Sequence, residues 1–424
     1  MDSIFALSSG APPAGIAVIR VTGPAAGQAL EQLTGHIPPA RKATRAWLVD
    51  NTGERLDDAL VLWFPGPHSV TGEDMAEFHL HGGRAVIAAV EAALAALPGL
   101  RKAEAGEFTR RAFANGRIDL AEAEGLADLL SAETQLQRRA AMAGAGGLIS
   151  RAVEGWRERL LGLSAQVEAS LDFADEDDVA GLPATFALAL GQLAGELQAA
   201  LLAPSAEPLR EGFRVALAGP PNAGKSTLFN ALLEYEAAIT AEIAGTTRDV
   251  LVRPVAIGGV PFSLVDMAGL RDSSSDAIES IGIDRAHGEI ARADLVLWLG
   301  AEGQGPDGAW EIEAQCDRAG RVPKQNPRLR LSAVTGEGLH GLKQALIEHA
   351  CSHLPAPGDL ALNRRQRDLV DMAGATLAGA DMQADPLILA EHLRSARLAF
   401  DRLLGRTSTE DVLDALFGRF CIGK

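Results

Sequence analysis

The run Val215-Ala-Leu-Ala-Gly219-Pro-Pro-Asn222-Ala-Gly224-Lys225-Ser226 constrains the fold more than any other stretch of this chain. An apolar, strand-like segment (214–218) leads into a glycine-bounded loop that ends in Lys-Ser, and a helix-like run, Thr227 to Leu233, follows. In that order, backbone N–H groups can close round phosphate oxygens at a helix N-terminus, where the helix dipole favours negative charge. Lys225 adds a point charge at the β and γ phosphates, and Ser226 offers a hydroxyl to Mg²⁺. The chain is therefore expected to hold a parallel α/β layer that binds a nucleotide.

Segments downstream fit that layer. Gly245-Thr246-Thr247-Arg248-Asp249 carries hydroxyls that can complete a Mg²⁺ shell. Phe262 to Gly269 reads as a strand ending in DxxG, so that Asp266 can hold Mg²⁺ through water and the Gly269 amide can sense a γ-phosphate. A strand at Leu295–Leu299 follows, and Ser332-Ala333 opens a loop of the kind that backs a guanine base. In this order behind a P-loop, these elements point to a GTPase-type domain. A guanine-reading NKxD should lie between Leu299 and Ser332, and none is present. Ala314-Gln-Cys-Asp317 keeps the acid, whereas Pro323-Lys-Gln-Asn326 keeps only the lysine. The acid matters more, because a carboxylate accepts two hydrogen bonds from guanine, so Asp317 is the preferred candidate. The segment is also short for a full helix-strand-helix. Leu270 and Arg271 occupy the places where a water-orienting glutamine would follow DxxG. Asn222 could instead give a side-chain oxygen to a monovalent cation, and Glu279 could position water.

The rest of the chain needs more than one core. At 424 residues, with 47% hydrophobic and 22% charged content, two or three folded domains are expected. Aromatics are scarce at 4%, which leaves Ala and Leu to pack and favours helix. The first 120 residues mix β-like runs (GIAVIRVTG, ALVLWF, AEFHLHGG) with a helical stretch from Ala85 to Leu97, an α+β pattern. Ile149, Val153, Trp156, Leu160, Leu163, Val167 and Leu171 then recur at helical spacing, as do Leu190, Leu193, Leu197 and Leu201. Leu389, Leu393, Phe400 and Leu403 repeat the pattern near the end, where Thr407 and Glu410 fit a capping box. The acidic run Asp172 to Asp178 reads first as a solvated loop, with a cation site as the alternative. Helical blocks on both sides of an α/β block suggest that the nucleotide domain is an insertion.

Charge and cysteines exclude some classes. Net charge is −17, a poor basis for gripping a nucleic-acid backbone unaided, although Arg110, Arg111 and Arg117 or Arg364, Arg365 and Arg367 could form a local basic patch. Cys316, Cys351 and Cys421 are too scattered for a disulfide scaffold or a zinc site. No secretory signal is expected from MDSIFALSSG, and no transmembrane helix is expected either.

Taken together, PNAGKST, IAGTTRD, the run Glu279 to Ile283, EAGEFTRRAF with its preceding HGG, and the terminal Cys421-Ile-Gly-Lys424 resemble the MnmE (TrmE) family of tRNA-modification GTPases over essentially the full length. The resemblance implies a multidomain α+β and α/β fold. It would comprise an N-terminal α+β folate-binding and dimerisation domain (1–119), a discontinuous α-helical domain (120–209 and 353–424) and an inserted Ras-like P-loop α/β G domain (210–352). It implies GTP hydrolysis dependent on potassium (K⁺) and Mg²⁺. It further implies that, with the flavoprotein MnmG, an aminomethyl-type group (carboxymethylaminomethyl) is placed on carbon 5 of the tRNA wobble uridine. 5-Formyltetrahydrofolate or another tetrahydrofolate would supply the carbon, and glycine or ammonium the nitrogen. A cytoplasmic homodimer, joined to MnmG in a heterotetramer that holds much of the tRNA, is implied too.

Residue by residue, the resemblance implies a GTP site of Asn222, Ala223, Gly224, Lys225, Ser226 and Thr227, the run Ala241, Glu242, Ile243, Ala244, Gly245, Thr246 and Thr247, then Asp266, Met267, Ala268 and Gly269, with Asp317, Ser332 and Ala333 at the base. Ser226 and Thr247 would hold Mg²⁺. Asn222 with Ala241, Ile243 and Thr246 would hold potassium, and Glu279 would orient water. Arg20, Glu77, Arg117 and Lys424 match folate-binding positions, Arg117 standing where lysine is common, and Cys421 is a candidate for chemistry. Met267 stands where the family usually has Thr. A ribosome-assembly or RNA-binding GTPase shares the G motifs, but such proteins usually carry a basic appendage. A folate enzyme with a vestigial nucleotide domain fits the missing NKxD but not the retention of Lys225, Ser226, Thr247 and Asp266.

Overall fold

The structure, a computed structural model, describes residues 2–172, 182–234, 251–267, 288–318, 320, 323–356, 358–380, 385–407 and 409–424. Two compact units divide the chain: Met1–Ala127 with Asp401–Lys424, and Asp128–Phe400.

The first unit opens with β1 (Ser3–Leu7), β2 (Ala14–Thr22), α1 (Ala26–Thr34), β3 (Thr44–Val49), β4 (Arg55–Phe64), β5 (Met75–Gly82), α2 (Arg84–Ala95), β6 (Leu100–Lys102), α3 (Glu107–Ala114) and α4 (Leu120–Ser131). Its sheet runs β3-β4-β5-β2-β1-β6, antiparallel except for the parallel pair β1–β6. Successive strand residues face opposite sides, so Ile19, Val21, Phe78 and Leu80 enter a core with Leu30 and Val90 of the two helices. Arg20 and Glu77, one step out of phase, lie on the other face.

The second unit holds α5 (Gln135–Ala145), α6 (Leu148–Asp172), α7 (Ala184–Leu202), α8 (Glu207–Glu211), β7 (Phe213–Ala218), α9 (Lys225–Glu234), β8 (Leu251–Ile257), β9 (Val260–Asp266), β10 (Leu295–Trp298), β11 (Trp310–Glu313), β12 (Leu329–Arg330), α10 (Leu339–His353), α11 (Arg364–Ala378) and α12 (Pro386–Leu403). The expected stripe of α6 is buried from Ile149 to Val167. Thr134–Gln137 and Asn363–Gln366 form complete capping boxes for α5 and α11. Arg367 donates to the carbonyls of Leu201 and Ala203 and so closes the end of α7.

Within Thr185–Glu211 an 18-residue window reaches a mean hydropathy of 1.4, enough by length and composition alone to cross a membrane, a test that a buried core helix also passes. No run of purely apolar residues gave that away, because Gln192, Glu196 and Gln198 interrupt it. Phe186, Leu190, Leu193 and Leu197 form its buried stripe, whereas Leu188 and Leu202 are exposed.

The nucleotide-type sheet runs β12-β11-β10-β7-β9-β8, parallel apart from the β8–β9 hairpin, whose turn Gly258-Gly259 takes the positive φ values a tight turn requires. Leu217, Leu264 and Leu297 pack against Leu228 and Leu232 of α9 and Leu342 and Leu346 of α10. Each such leucine contributes about 1.5–3 kcal/mol on full burial. On the opposite face, Ala216, Val265, Met267 and Val296 form a thinner layer. The crossovers 299–309 and 314–328 contain no helix among their described residues, in line with the shortness of the segment. Trp298 fills the gap: its Nε1 donates to Ala301 O at 2.8 Å, and its ring packs on Gly300 and Gly305, where a Cβ would come within 2.5 and 2.7 Å. Glu311 ties the two crossovers by accepting from Gly303 N at 3.0 Å and Lys324 Nζ at 2.5 Å.

The chain then returns to the first unit with α13 (Glu410–Phe417). The expected capping box of Thr407 with Glu410 is not formed. The helix begins two residues too late for Thr407 to cap it: Thr409 is the N-cap residue, and it makes no side-chain capping bond. α13 packs on α3, with the rings of Phe113 and Phe417 6.0 Å apart. Gly106, at φ +69°, allows that approach; a Cβ there would lie 2.2 Å from Phe417 O. The final residues are stitched down as well. Ile422 forms a β-bridge with Ala105, and Ser8 Oγ donates to Gly423 O at 2.8 Å.

Candidate functional site

The P-loop lies at the carboxyl end of β7, between β9 and β10, where an open parallel sheet leaves a crevice for ligands. Its backbone needs three positive φ angles, 147° at Gly219, 60° at Asn222 and 98° at Gly224. Glycine takes these without strain, and asparagine is among the few other residues that tolerate the left-handed region. Lys225 opens α9, is buried, and donates to Gly219 O at 3.0 Å and Pro220 O at 2.9 Å. Ser226 and Thr227 are exposed on the first turn of the helix, and Asn222 is exposed in the loop, whereas Ala223 packs in the core. Asp266 ends β9 in register with Leu217 and is 4% exposed. Oxygen donors at Ser226 and Asp266, on adjoining elements beside the loop, suit a hard cation such as Mg²⁺. Met267 is buried with Ala218 and Val265.

The loop that contains Gln315 and Asp317 follows β11, at the same edge of the sheet. Gln315 Nε2 donates to Asn222 O at 3.3 Å. Cys316 N donates to Leu331 O at 3.2 Å, which zips this loop to the one after β12. A hydrogen bond from the fully buried Ser332 holds the Asp317 carboxyl below the usual carboxylate range. Ser332 Oγ also accepts from Thr335 N at 3.1 Å. Asp317 and the Ser332-Ala333 loop therefore come together, although far apart in sequence. Lys324, the other candidate, is engaged with Trp298 O at 2.9 Å and with Glu311. Ala241 to Thr247, Ala268, Gly269 and Glu279 lie outside the described residues.

In the first unit, Arg20 and Glu77 are register partners on β2 and β5, and Arg20 Nε donates to Glu77 Oε1 at 2.7 Å. His79 Nε2 lies 3.1 Å from Glu77 Oε2. Burial opposes ionisation of Glu77, but the hydrogen bonds from Arg20 and His79 outweigh it and hold the carboxyl below its ordinary range. Arg117 is exposed beside the loop 69–74, where its Cγ would lie 3.2 Å from a Cβ on Gly72. Cys421 is exposed, and Lys424 N donates to Cys421 O at 3.2 Å. Gly423 rests on Leu7, the register partner of Ile19, so the tail lies next to the strand that carries Arg20. Sequence reading did not single out His79 or Gln315. The alternation in AEFHLHGG, which puts Glu77, His79 and His81 on one face, was the available signal for His79.

At least three of the six candidate arginines are engaged within the chain. Arg110 pairs with Glu410 and Asp414, Arg111 pairs with Asp2, Glu73 and Glu107, and Arg367 is spent on α7.

Comparison with known proteins settles the family. The model of the MnmE helical domain matches residues 120–421, and that of the GTP-binding protein TrmE N-terminus matches residues 3–117. The tRNA modification GTPase MnmE of Erythrobacter litoralis is 63% identical over 424 residues, covering 100% of both chains. That of Novosphingobium aromaticivorans is 60% identical over 435 residues, again covering 100% of both.

The chain belongs to the MnmE family.

Like its MnmE-family relatives it is a multidomain GTP hydrolase of tRNA modification, with an α+β N-terminal domain, a helical domain and a P-loop α/β domain. Among solved structures, the G domain of the T. maritima FeoB iron transporter matches 32% of this chain and 98% of its own, at 28% identity and a TM-score of 0.22, an overlap too slight to carry an argument.

Proposed function

We propose that this MnmE-family chain is a potassium-dependent GTPase that works with the flavoprotein MnmG. Together they would install a carboxymethylaminomethyl-type group on carbon 5 of the tRNA wobble uridine, with a tetrahydrofolate as carbon source. The observation that carries the reading is the convergence of Asn222, Lys225, Asp266 and the Asp317–Ser332 pair at one edge of the parallel sheet. Lys225 binds the β and γ phosphates, Ser226 with Thr247 holds Mg²⁺, and Asn222 with the 241–246 backbone holds potassium. When bound, the two cations supply positive charge beside the phosphates. Asp317 reads the guanine edge while Ser332 orients its carboxylate, and Glu279 orients the attacking water.

Arg20, Glu77, Arg117 and Lys424 form the proposed folate site. The Arg20–Glu77 pair and the docking of the tail beside β2 support it. Cys421, exposed on that tail, is the proposed residue for chemistry or a crucial contact. A cytoplasmic homodimer is proposed with the family reading, and net charge of −17 with Arg110 and Arg111 paired within the chain favours MnmG supplying much of the grip on tRNA. The division into 1–119, 120–209, 210–352 and 353–424 is proposed alongside, supported by family models that meet between residues 117 and 120.

The test is hydrolysis of GTP, XTP and ATP by the purified protein, first in potassium and then in sodium. Turnover of GTP confined to potassium is expected. Equal rates in the two salts, or equal use of the three nucleotides, would overturn the reading.

A further inference from the structure

Side chains alternate along β5, so Glu77, His79 and His81 share the face of the first unit's sheet that points away from the core of Phe78 and Leu80. Arg20 and Leu62 flank Glu77 on the neighbouring strands, and Val18 and Leu60 flank His79. Arg20 Nε donates to Glu77 Oε1 at 2.7 Å. Leu62, on the other side, has no donor to give. The second oxygen is met from within the strand instead, with His79 Nε2 3.1 Å from Glu77 Oε2. A carboxylate offers about four acceptor sites, so roughly one on each oxygen of Glu77 stays open. Among the described residues no other group bonds to that carboxylate, and none takes the two Nη groups of Arg20.

A cluster with an open carboxylate edge and an open guanidinium beside it suits a ligand that presents two neighbouring N–H donors and a carbonyl oxygen. The pyrimidine edge of a reduced pterin has that order: exocyclic amine, ring N–H, carbonyl. Reading such an edge requires the carboxylate plane to be fixed. The last torsion of a glutamate is broad, and a carboxylate held at one oxygen can still turn about its Cγ–Cδ bond. Arg20 holds only Oε1, and His79 is the group that holds Oε2.

We infer that His79 is a positioning residue for the folate, one that acts through Glu77 and fixes the plane in which its carboxylate meets the pterin edge. This rests on the reading of Arg20 and Glu77 as part of the folate site.

The experiment measures binding to the full chain by equilibrium dialysis, with 5-formyltetrahydrofolate and with an analogue that carries a methyl group in place of the exocyclic amine. His79→Leu keeps bulk and removes the donor. It is expected to raise the Kd of 5-formyltetrahydrofolate about three- to tenfold, the range of one hydrogen bond's net worth, and that of the analogue by less, so that the preference for the amine narrows. His79→Gln puts an amide nitrogen where Nε2 stood and is expected to keep both Kd values near the parent's. An unchanged Kd in His79→Leu would overturn the inference. So would an equal loss for the two ligands, or a loss that glutamine does not repair, since either would mark a general disturbance of the sheet. Glu77→Gln is expected to weaken 5-formyltetrahydrofolate more than His79→Leu does. Parent-like binding by that variant would instead overturn the folate reading of Glu77 on which the inference rests.

Discussion

Asn222 combines a backbone that few residue types accept with an exposed side-chain amide beside the phosphate-binding loop. A potassium ion at that amide would lose one oxygen donor in Asn222→Ala, while Lys225 and the loop N–H groups would remain. Hydrolysis by the variant is expected to respond equally to potassium and sodium, with nucleotide affinity changed only a few-fold. Rates measured across a potassium titration check this, and a response matching the parent's would reject the ligand assignment. Glu77 offers a second test at this scale. Its carboxyl titrates below the ordinary value of 4.5, so the folded state gains stability from it above that pH and loses it as the pH falls through the lower native value. Glu77→Gln is expected to lower stability at neutral pH and to flatten the acid limb of the unfolding curve. An acid limb as steep as the parent's would show that the Arg20–Glu77–His79 cluster contributes nothing there.

At the scale of elements, α10 is fixed to the sheet by an aromatic cluster as well as by its leucines. His349 faces Trp310 at 5.1 Å, Phe213 at 5.7 Å and His353 at 4.5 Å, and Arg328 lies over the Trp310 ring at 4.0 Å. Burial first, then the charges of His353 and Arg328, push the His349 pKa below the ordinary histidine value of 6.5. The neutral ring is the folded form, so the unfolded chain takes up a proton first as the pH falls. The resulting stability is present above pH 6.5 and is lost below it. The melting temperature is expected to drop as the pH falls below 6.5, by less in His349→Gln than in the parent. Parallel pH profiles for the two proteins would place the titrating group elsewhere. The same scale shows which element boundaries sequence reveals. The buried stripe of α6 follows from spacing alone, whereas Thr407 has the capping pattern without the cap, because α13 starts only at Glu410.

Over the whole molecule, the most consequential contact joins the two ends of the chain. Gly423, at φ +94°, lies so close to Leu7 that a Cβ would come within 2.2 Å of its carbonyl oxygen. Backbone against backbone leaves nothing flexible to move aside. Gly423→Ala is therefore expected to lift the Cys421–Lys424 tail from the sheet. Faster removal of C-terminal residues by a carboxypeptidase and a several-fold lower yield of modified tRNA are the expected readouts. GTP hydrolysis should persist, because the nucleotide domain has a separate core. Unaltered digestion of the tail would show that the backbone accommodates the methyl group.

The nucleotide domain was legible in the sequence because the P-loop is contiguous: eight residues from Gly219 to Ser226 contain the turn, the left-handed positions and the charge. Amphipathic helices were legible for a similar reason, since a stripe needs only local periodicity. Sequence left open whether the base loop was 314–317 or 323–326, because each keeps one of the expected residues. In the structure 314–317 leaves β11 at the P-loop edge beside Ser332, and Lys324 is drawn to Glu311 and Trp298, which supports the proposal of 314–317 as the base loop. The docking of the tail on β1 and the tie from Gln315 to Asn222 likewise belonged to the tertiary structure. Ser8 and Gly423 stand 415 residues apart and Gln315 and Asn222 stand 93 apart, and no local propensity carries information over such distances. They meet because packing each sheet with its helices brings distant loops side by side, where a polar side chain on one reaches a backbone carbonyl on the other.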